Sequence, residues 1–136
     1  FLNDHPLIHL STFGGSDIAC RVALAALDLY RREEPWKNAA ALEPEFRSAF
    51  NALMGDFPRL LTGVQGAGLL FALQTPWAEM ANKLARTCLN RGLLVAPGRV
   101  AKNTVMVRPS LLITEDEAGE LVAALQLALQ DCANSA

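Results

Sequence analysis

Two places in this 136-residue chain gather residue types able to do chemistry. The first is Ser11-Thr12-Phe13-Gly14-Gly15, followed by Ser16-Asp17 and an apolar stretch. Paired glycines let a backbone turn tightly and approach a ligand closely. A threonine hydroxyl donates to an anion, and the free N–H groups at a helix start favour phosphate or carboxylate. Many strand–glycine–helix turns are only turns, and Asp17 would repel a phosphate set directly at the helix end. The second place is Arg108, which leaves the apolar run Val105-Met106-Val107 and precedes Pro109. An arginine there either reaches solvent or meets a carboxylate bidentately, because burying it unpaired is costly. The three lysines, Lys37, Lys83 and Lys102, read as solvated surface residues, and His5 and His9 as loop and strand-end residues. The glycines of Gly63-Val64-Gln65-Gly66-Ala67-Gly68 read as structural, marking bulges or a close backbone approach.

The elements that position these residues follow from periodicity and punctuation. Pro6 to Leu10 reads as a short strand. A helix is expected from Asp17 to Arg32, capped by Ser16 or Asp17, with cations at its end and Pro35 stopping it. Its interior is apolar nearly all round, so its cover must come from other sequence or another subunit. A second helical region runs from about Trp36 to Phe57 on a stripe of Phe46, Phe50, Leu53 and Phe57; Pro44 is expected to interrupt it, splitting it near Glu43. Leu60 to Gln65 and Ala67 to Gln74 read as strands. Thr75 as cap and Pro76 as first residue open a third helix with a face from Trp77 to Leu89, which Gly92 stops. Leu93 to Ala96 and Thr104 to Arg108 read as two more strands. Thr114 with Glu117 forms a capping box for the last helix, whose buried face runs from Leu121 to Cys132. This order predicts an α+β fold, a small antiparallel sheet covered by helices.

Composition bounds the function. A net charge of -2 and the absence of any basic run longer than Arg31-Arg32 argue against nucleic acid. No apolar stretch approaches the ~18 residues that cross a bilayer. Cys20, Cys88 and Cys132 lack metal-ligand spacing and read as buried free thiols, which suits a reducing cytoplasm.

His9 to Cys20 resembles the segment H-x-S-T-F-G-G-N-P-L-A-C of the class III, or ω-amino, pyridoxal-phosphate-dependent aminotransferases. Gly63 to Leu70 resembles that family's V-R-G-x-G-L strand pair, Arg91 to Val95 its R-G-L-L-V segment, and Val105 to Glu115 its closing I-R-x-x-P-P-L-x-I-T-E. The four stand in the family's order, span nearly the whole chain, and look most like the putrescine and acetylornithine branches.

The resemblance implies the C-terminal portion of a fold type I enzyme. Residues 1–34 would be the interface loop and linking helix from the end of the large domain, and 35–136 the small C-terminal domain. It implies a homodimer joined through the Thr12 loop and the following helix, with pyridoxal 5'-phosphate as cofactor. Ser11 and Thr12 are the cofactor-binding candidates, Thr12 reaching the phosphate of the neighbouring subunit. The substrates would be an amine or ω-amino acid and a 2-oxo acid. The family's asparagine-proline after the glycines is Ser16-Asp17 here, its R-G-x-G arginine is Gln65, and its second closing proline is Ser110. Its substrate-side arginine falls on Met106; Arg108, two residues later on the same strand face, is the substrate-binding candidate in its place. The family's Schiff-base lysine precedes the glycine loop and has no counterpart here. The chain is therefore expected to be a fragment, with no catalytic residue of its own and inactive alone. The alternatives are a non-catalytic dimerisation module and a fold type I aminomutase fragment.

Overall fold

The computed structural model describes Asp4, His5 and residues 11–135; the strand expected over Pro6 to Leu10, and His9, lie outside the described residues. The chain divides into two compact units, Phe1–Glu34 and Pro35–Ala136, which are taken in turn.

In the first unit, α1 runs Asp17–Glu33. Ser16 is its N-cap, in extended conformation, and its hydroxyl accepts from the Ala19 amide at 3.4 Å. Asp17 lies in the first turn, and Arg31 and Arg32 in the last, as the helix dipole favours. Glu34 closes the helix in the left-handed conformation (φ 46°), and its N–H donates to the Tyr30 carbonyl. None of the residues of α1 is buried.

The second unit holds α2 (Pro35–Asp56), β1 (Gly63–Ala67), β2 (Leu70–Gln74), α3 (Ala78–Asn90), β3 (Ala96–Pro97), β4 (Thr104–Val107) and α4 (Glu115–Asn134). The strands form one antiparallel sheet in the order β1-β2-β4-β3. Alternation along β2 and β4 sends Phe71, Leu73, Val105 and Val107 into the core, where they join Phe46, Phe50 and Leu53 of α2, Leu84 and Cys88 of α3, and Leu125, Leu129 and Cys132 of α4. The rings of Phe46, Phe50 and Phe71 meet with centroids 5.1–6.2 Å apart, the Phe50–Phe71 pair edge-on. This is the predicted α+β class, with helices on one face of a small antiparallel sheet.

Several boundaries differ from the sequence reading. Pro44 does not split α2, which is continuous through it. Pro44 and Ala40, whose carbonyl loses its helical partner, are both exposed, so the missing hydrogen bond falls at a solvent-facing position, where it costs less than in a core. Leu60 and Leu61 are buried but not in a strand; their amides donate back to the Phe57 carbonyl in the turn after α2. The third helix begins two residues later than expected, with Trp77 as N-cap and no side-chain cap. Thr75 is fully buried and serves the sheet instead: its amide and hydroxyl both reach the Asn103 carbonyl, and the Asn103 side-chain amide donates to the Thr75 carbonyl. Trp77 and Leu89 are half exposed, so the buried face of α3 is narrower than the pattern implied. Gly92, at φ 79°, ends α3 as expected: the Leu93 amide reaches the Cys88 carbonyl and the Gly92 amide reaches that of Leu89. Cys88 and Cys132 are buried free thiols, whereas Cys20 is exposed, like every other residue of α1.

Candidate functional site

The Ser11–Ser16 loop is two successive turns. The Gly14 amide donates to the Ser11 carbonyl and the Ser16 amide to that of Phe13, each at 3.3 Å. A Cβ on Gly14 would sit 2.9 Å from the Ser11 Cβ, and Gly15 adopts φ 77° in open space. The first glycine is therefore required by a close approach and the second by backbone conformation. Closing the turns uses the amides of Gly14 and Ser16. Among the described residues, those of Thr12, Phe13 and Gly15 have no backbone partner. Ser11, Thr12 and both glycines are exposed. The donor set, one threonine hydroxyl and several amides beside a helix start, suits one side of a phosphate; every donor is neutral, and Asp17 lies in the adjoining helical turn. Such a loop can hold part of a phosphate group, with its countercharge supplied from elsewhere.

Arg108 lies in the second unit, directly after β4. It is exposed, and no hydrogen bond or ion pair engages it among the described residues. Val105 and Val107 point into the core, so Met106 and Arg108 share the opposite face of the sheet. Ser11 and Thr12 thus occur together in one loop, and Arg108 follows the last strand residue of β4 in the other unit.

The structure adds an ionic pin that the sequence reading passed over. Glu43 and Arg47, one turn apart on α2, pair at 2.8 Å. Arg47 also donates to the Gly66 carbonyl at 2.7 Å and lies 5.4 Å from the centre of the Phe71 ring. The other oxygen of Glu43 accepts from the Gly68 amide at 2.7 Å. The hydrogen bond from Arg47, then that from Gly68, hold the Glu43 carboxyl below its ordinary range, against a smaller opposing effect of burial. The i, i+4 spacing of Glu43 and Arg47 was the available signal; their target, a hairpin some twenty residues on, had none. Gly66 (φ 148°) and Gly68 (φ 55°) form the turn that this pair grips, in keeping with the structural reading of these glycines.

Lys83 is not a free surface amine: its ammonium donates to the carbonyls of Cys132 and Ser135 and so caps α4. A cleft of about 610 Å³ opens between the end of α3 and the start of α4, lined by Arg91, Leu93, Ser110, Glu117 and Glu120 among others. Arg91 is held by Asp131 through two hydrogen bonds of 2.8 Å, and Glu117 by the cap of α4. No helix among the described residues is long and apolar enough to cross a membrane.

Comparison with known proteins places this geometry. The family model described as aminotransferase class-III matches residues 3–129. An acetylornithine aminotransferase of Nostoc sp. is 34% identical over 124 residues, which cover 89% of this chain and 28% of that protein. A putrescine aminotransferase of Pectobacterium atrosepticum is 30% identical over 123 residues, covering 89% of this chain and 26% of that protein. The crystal structure of acetylornithine aminotransferase from Elizabethkingia anophelis superposes with a TM-score of 0.81 at 33% identity, over 90% of this chain and 32% of that one. The chain thus spans less than a third of the length of these relatives.

Proposed function

The chain belongs to the class-III aminotransferase family, and from that premise we propose that it serves as the C-terminal portion of a longer pyridoxal-phosphate-dependent enzyme. That enzyme moves an amino group from an amine or ω-amino acid to a 2-oxo acid. The donor leaves as an aldehyde or ketone and the acceptor as an amino acid, with no net oxidant needed. Pyridoxal phosphate, when bound, supplies the electron sink for this exchange.

Within this reading, residues 1–34 form the interface loop and linking helix, and 35–136 the small domain. Thr12, with Ser11 beside it, holds the cofactor phosphate of a second subunit. The observation that carries the reading is the Ser11–Ser16 loop, whose turns leave the hydroxyl of Thr12 and the amides around it available to an anion. The exposed apolar face of α1, with Ile18, Val22 and Leu27 all more than half exposed, supports a partner subunit there. Arg108 takes a substrate carboxylate. No lysine of this chain serves as the cofactor's anchor, so the chain alone has no transaminase activity.

Thr12→Ala in the full-length protein tests the assignment. Loss of one hydrogen bond to a charged phosphate weakens cofactor binding by roughly 10- to 100-fold, read by equilibrium titration of the cofactor's absorbance. Unchanged affinity would remove Thr12 from the site. The exposed face of α1 equally favours a second reading, a module that self-associates without chemistry. That reading predicts dimers of this chain whose stability is indifferent to cofactor, measurable by sedimentation.

A further inference from the structure

With no partner for its guanidinium among the described residues, Arg108 takes its place from the backbone that carries it. On one side that backbone is fixed by the sheet, where Val107 pairs with Phe71. On the other side, residues 109–113 run to the cap of α4 outside any helix or strand. The bonds inside this connection are local: the Leu112 amide donates to the Ser110 hydroxyl and the Ile113 amide to the Ser110 carbonyl, each at 3.1 Å. One side chain ties it to another element. Asn38, the fourth residue of α2, donates to the carbonyls of Leu111 and Ile113, each at 2.9 Å, across 73 and 75 residues of sequence. Among the described residues no other hydrogen bond joins this connection to another element. Asparagine is a weak helix former, and here both donors of its amide are used outside the helix.

We propose that Asn38 is a positioning residue for Arg108, holding the connection after β4 so that the guanidinium is set for a substrate carboxylate. The inference rests on the role proposed above for Arg108 and adds what fixes it. Pro109 restricts Arg108 to extended backbone, so a shift of the connection carries the arginine with it. A guanidinium meets a carboxylate bidentately only within a narrow range of orientation, and a misplacement of about 1 Å can cost up to about 100-fold in rate. Aspartate has the shape of asparagine but no N–H to donate, and its charge would face two carbonyl oxygens. Near the start of α2 a carboxylate suits the helix dipole. Asn38→Asp therefore breaks the tie without weakening the helix that carries it.

The experiment uses the full-length protein with two donors, an ω-amino monocarboxylate and an alkylamine of equal length without a carboxylate. The half-saturating concentration of each is read in a single turnover without 2-oxo acid, and hydrogen exchange is read along the chain. Asn38→Asp is expected to raise that concentration roughly 10-fold for the monocarboxylate and to leave the alkylamine unchanged. It should also speed exchange in residues 109–113 while β4 and α3 stay protected. Asn38→Ala, which adds no charge, should match it in both readouts. Arg108→Gln is expected to weaken the monocarboxylate roughly 10- to 100-fold. Adding Asn38→Asp to Arg108→Gln should weaken it no further, since the two act through one contact. If Arg108→Gln leaves the monocarboxylate unchanged, the role of Arg108 fails and this inference with it. If Arg108→Gln behaves as expected but the Asn38 variants affect both donors alike, affect neither, or add fully to Arg108→Gln, the inference alone is overturned.

Discussion

At the scale of single residues, the glycines of this chain do different work. Gly15 answers a backbone requirement in open space, whereas Gly66 answers both a positive φ and a steric one. A Cβ on Gly66 would run into the Leu70 carbonyl oxygen and lie 2.8 Å from the Phe71 Cα. Both obstacles are backbone and cannot swing away. Gly66→Ala is therefore expected to destabilise the chain by about 2 kcal/mol or more, measured as a lower denaturation midpoint with an unchanged slope. Glu43 governs the same hairpin by charge. Its carboxyl titrates below the ordinary value because Arg47 and the Gly68 amide both donate to its ionised form. A depressed folded pKa stabilises the fold above the unfolded pKa, and that contribution is lost as pH falls through the folded one. Glu43→Gln should thus lower stability near neutral pH. The gap from the parent should close as pH drops below about 4.5, which paired urea titrations across that range would reveal.

At the scale of elements, the helix ends show how local chemistry and tertiary demand divide the chain. The capping box of α4 is complete: the Glu117 carboxylate accepts from the Thr114 amide at 2.9 Å and from its hydroxyl at 3.0 Å, and the Glu117 amide reaches that hydroxyl at 3.2 Å. The Thr114 amide and then its hydroxyl hold the Glu117 carboxyl below its ordinary value. Thr114→Ala removes this cap and should cost about 1 kcal/mol, seen as a lower Tm and faster hydrogen exchange in the first turn of α4. Thr75-Pro76 carries an equally good cap signal, yet Thr75 is taken by Asn103 across the sheet. Donating its hydroxyl to the carbonyls of Asn103 and Trp77 fixes Thr75 beside the sheet, two residues before the N-cap position that Trp77 takes, and nothing local announces the distant partner. Pro44 makes the same point in reverse: the local rule predicts a break, and an exposed helix surface lets the chain run through it.

At the scale of the whole molecule, the two units differ in how they treat their apolar residues. The second unit buries an aromatic and aliphatic core, while α1 of the first buries nothing. The thiols report on this difference. Cys88 is buried, and its pKa is pushed up to about 12 by that burial and, secondarily, by Cys132 nearby; Cys132 is equally enclosed. Neither should react with a thiol reagent until the second unit unfolds. Cys20 should react at once in this chain on its own. In the full-length dimer proposed here, the partner subunit should protect it. Mass-spectrometric mapping of labelled sites separates these outcomes, and rapid Cys20 labelling in the assembled protein would count against an interface over α1.

Much of this was legible in the chain itself. The α+β class, the order of eight elements, the capping box at Thr114, the stop at Gly92 and the resemblance carried by His9 to Cys20 all rest on signals only a few residues apart. Helix and strand periods, caps and turn glycines act over one or two turns of backbone, so linear sequence holds them complete. Tertiary structure decided what depends on distant partners. It took Thr75 from its cap, turned Lys83 into a clasp for α4, gripped the Gly66–Gly68 turn with Glu43 and Arg47, and tied the connection after Arg108 to α2 through Asn38. Those outcomes depend on which segments meet across the fold. The free energy of such meetings belongs to pairs of residues far apart in the chain, which local pattern does not encode.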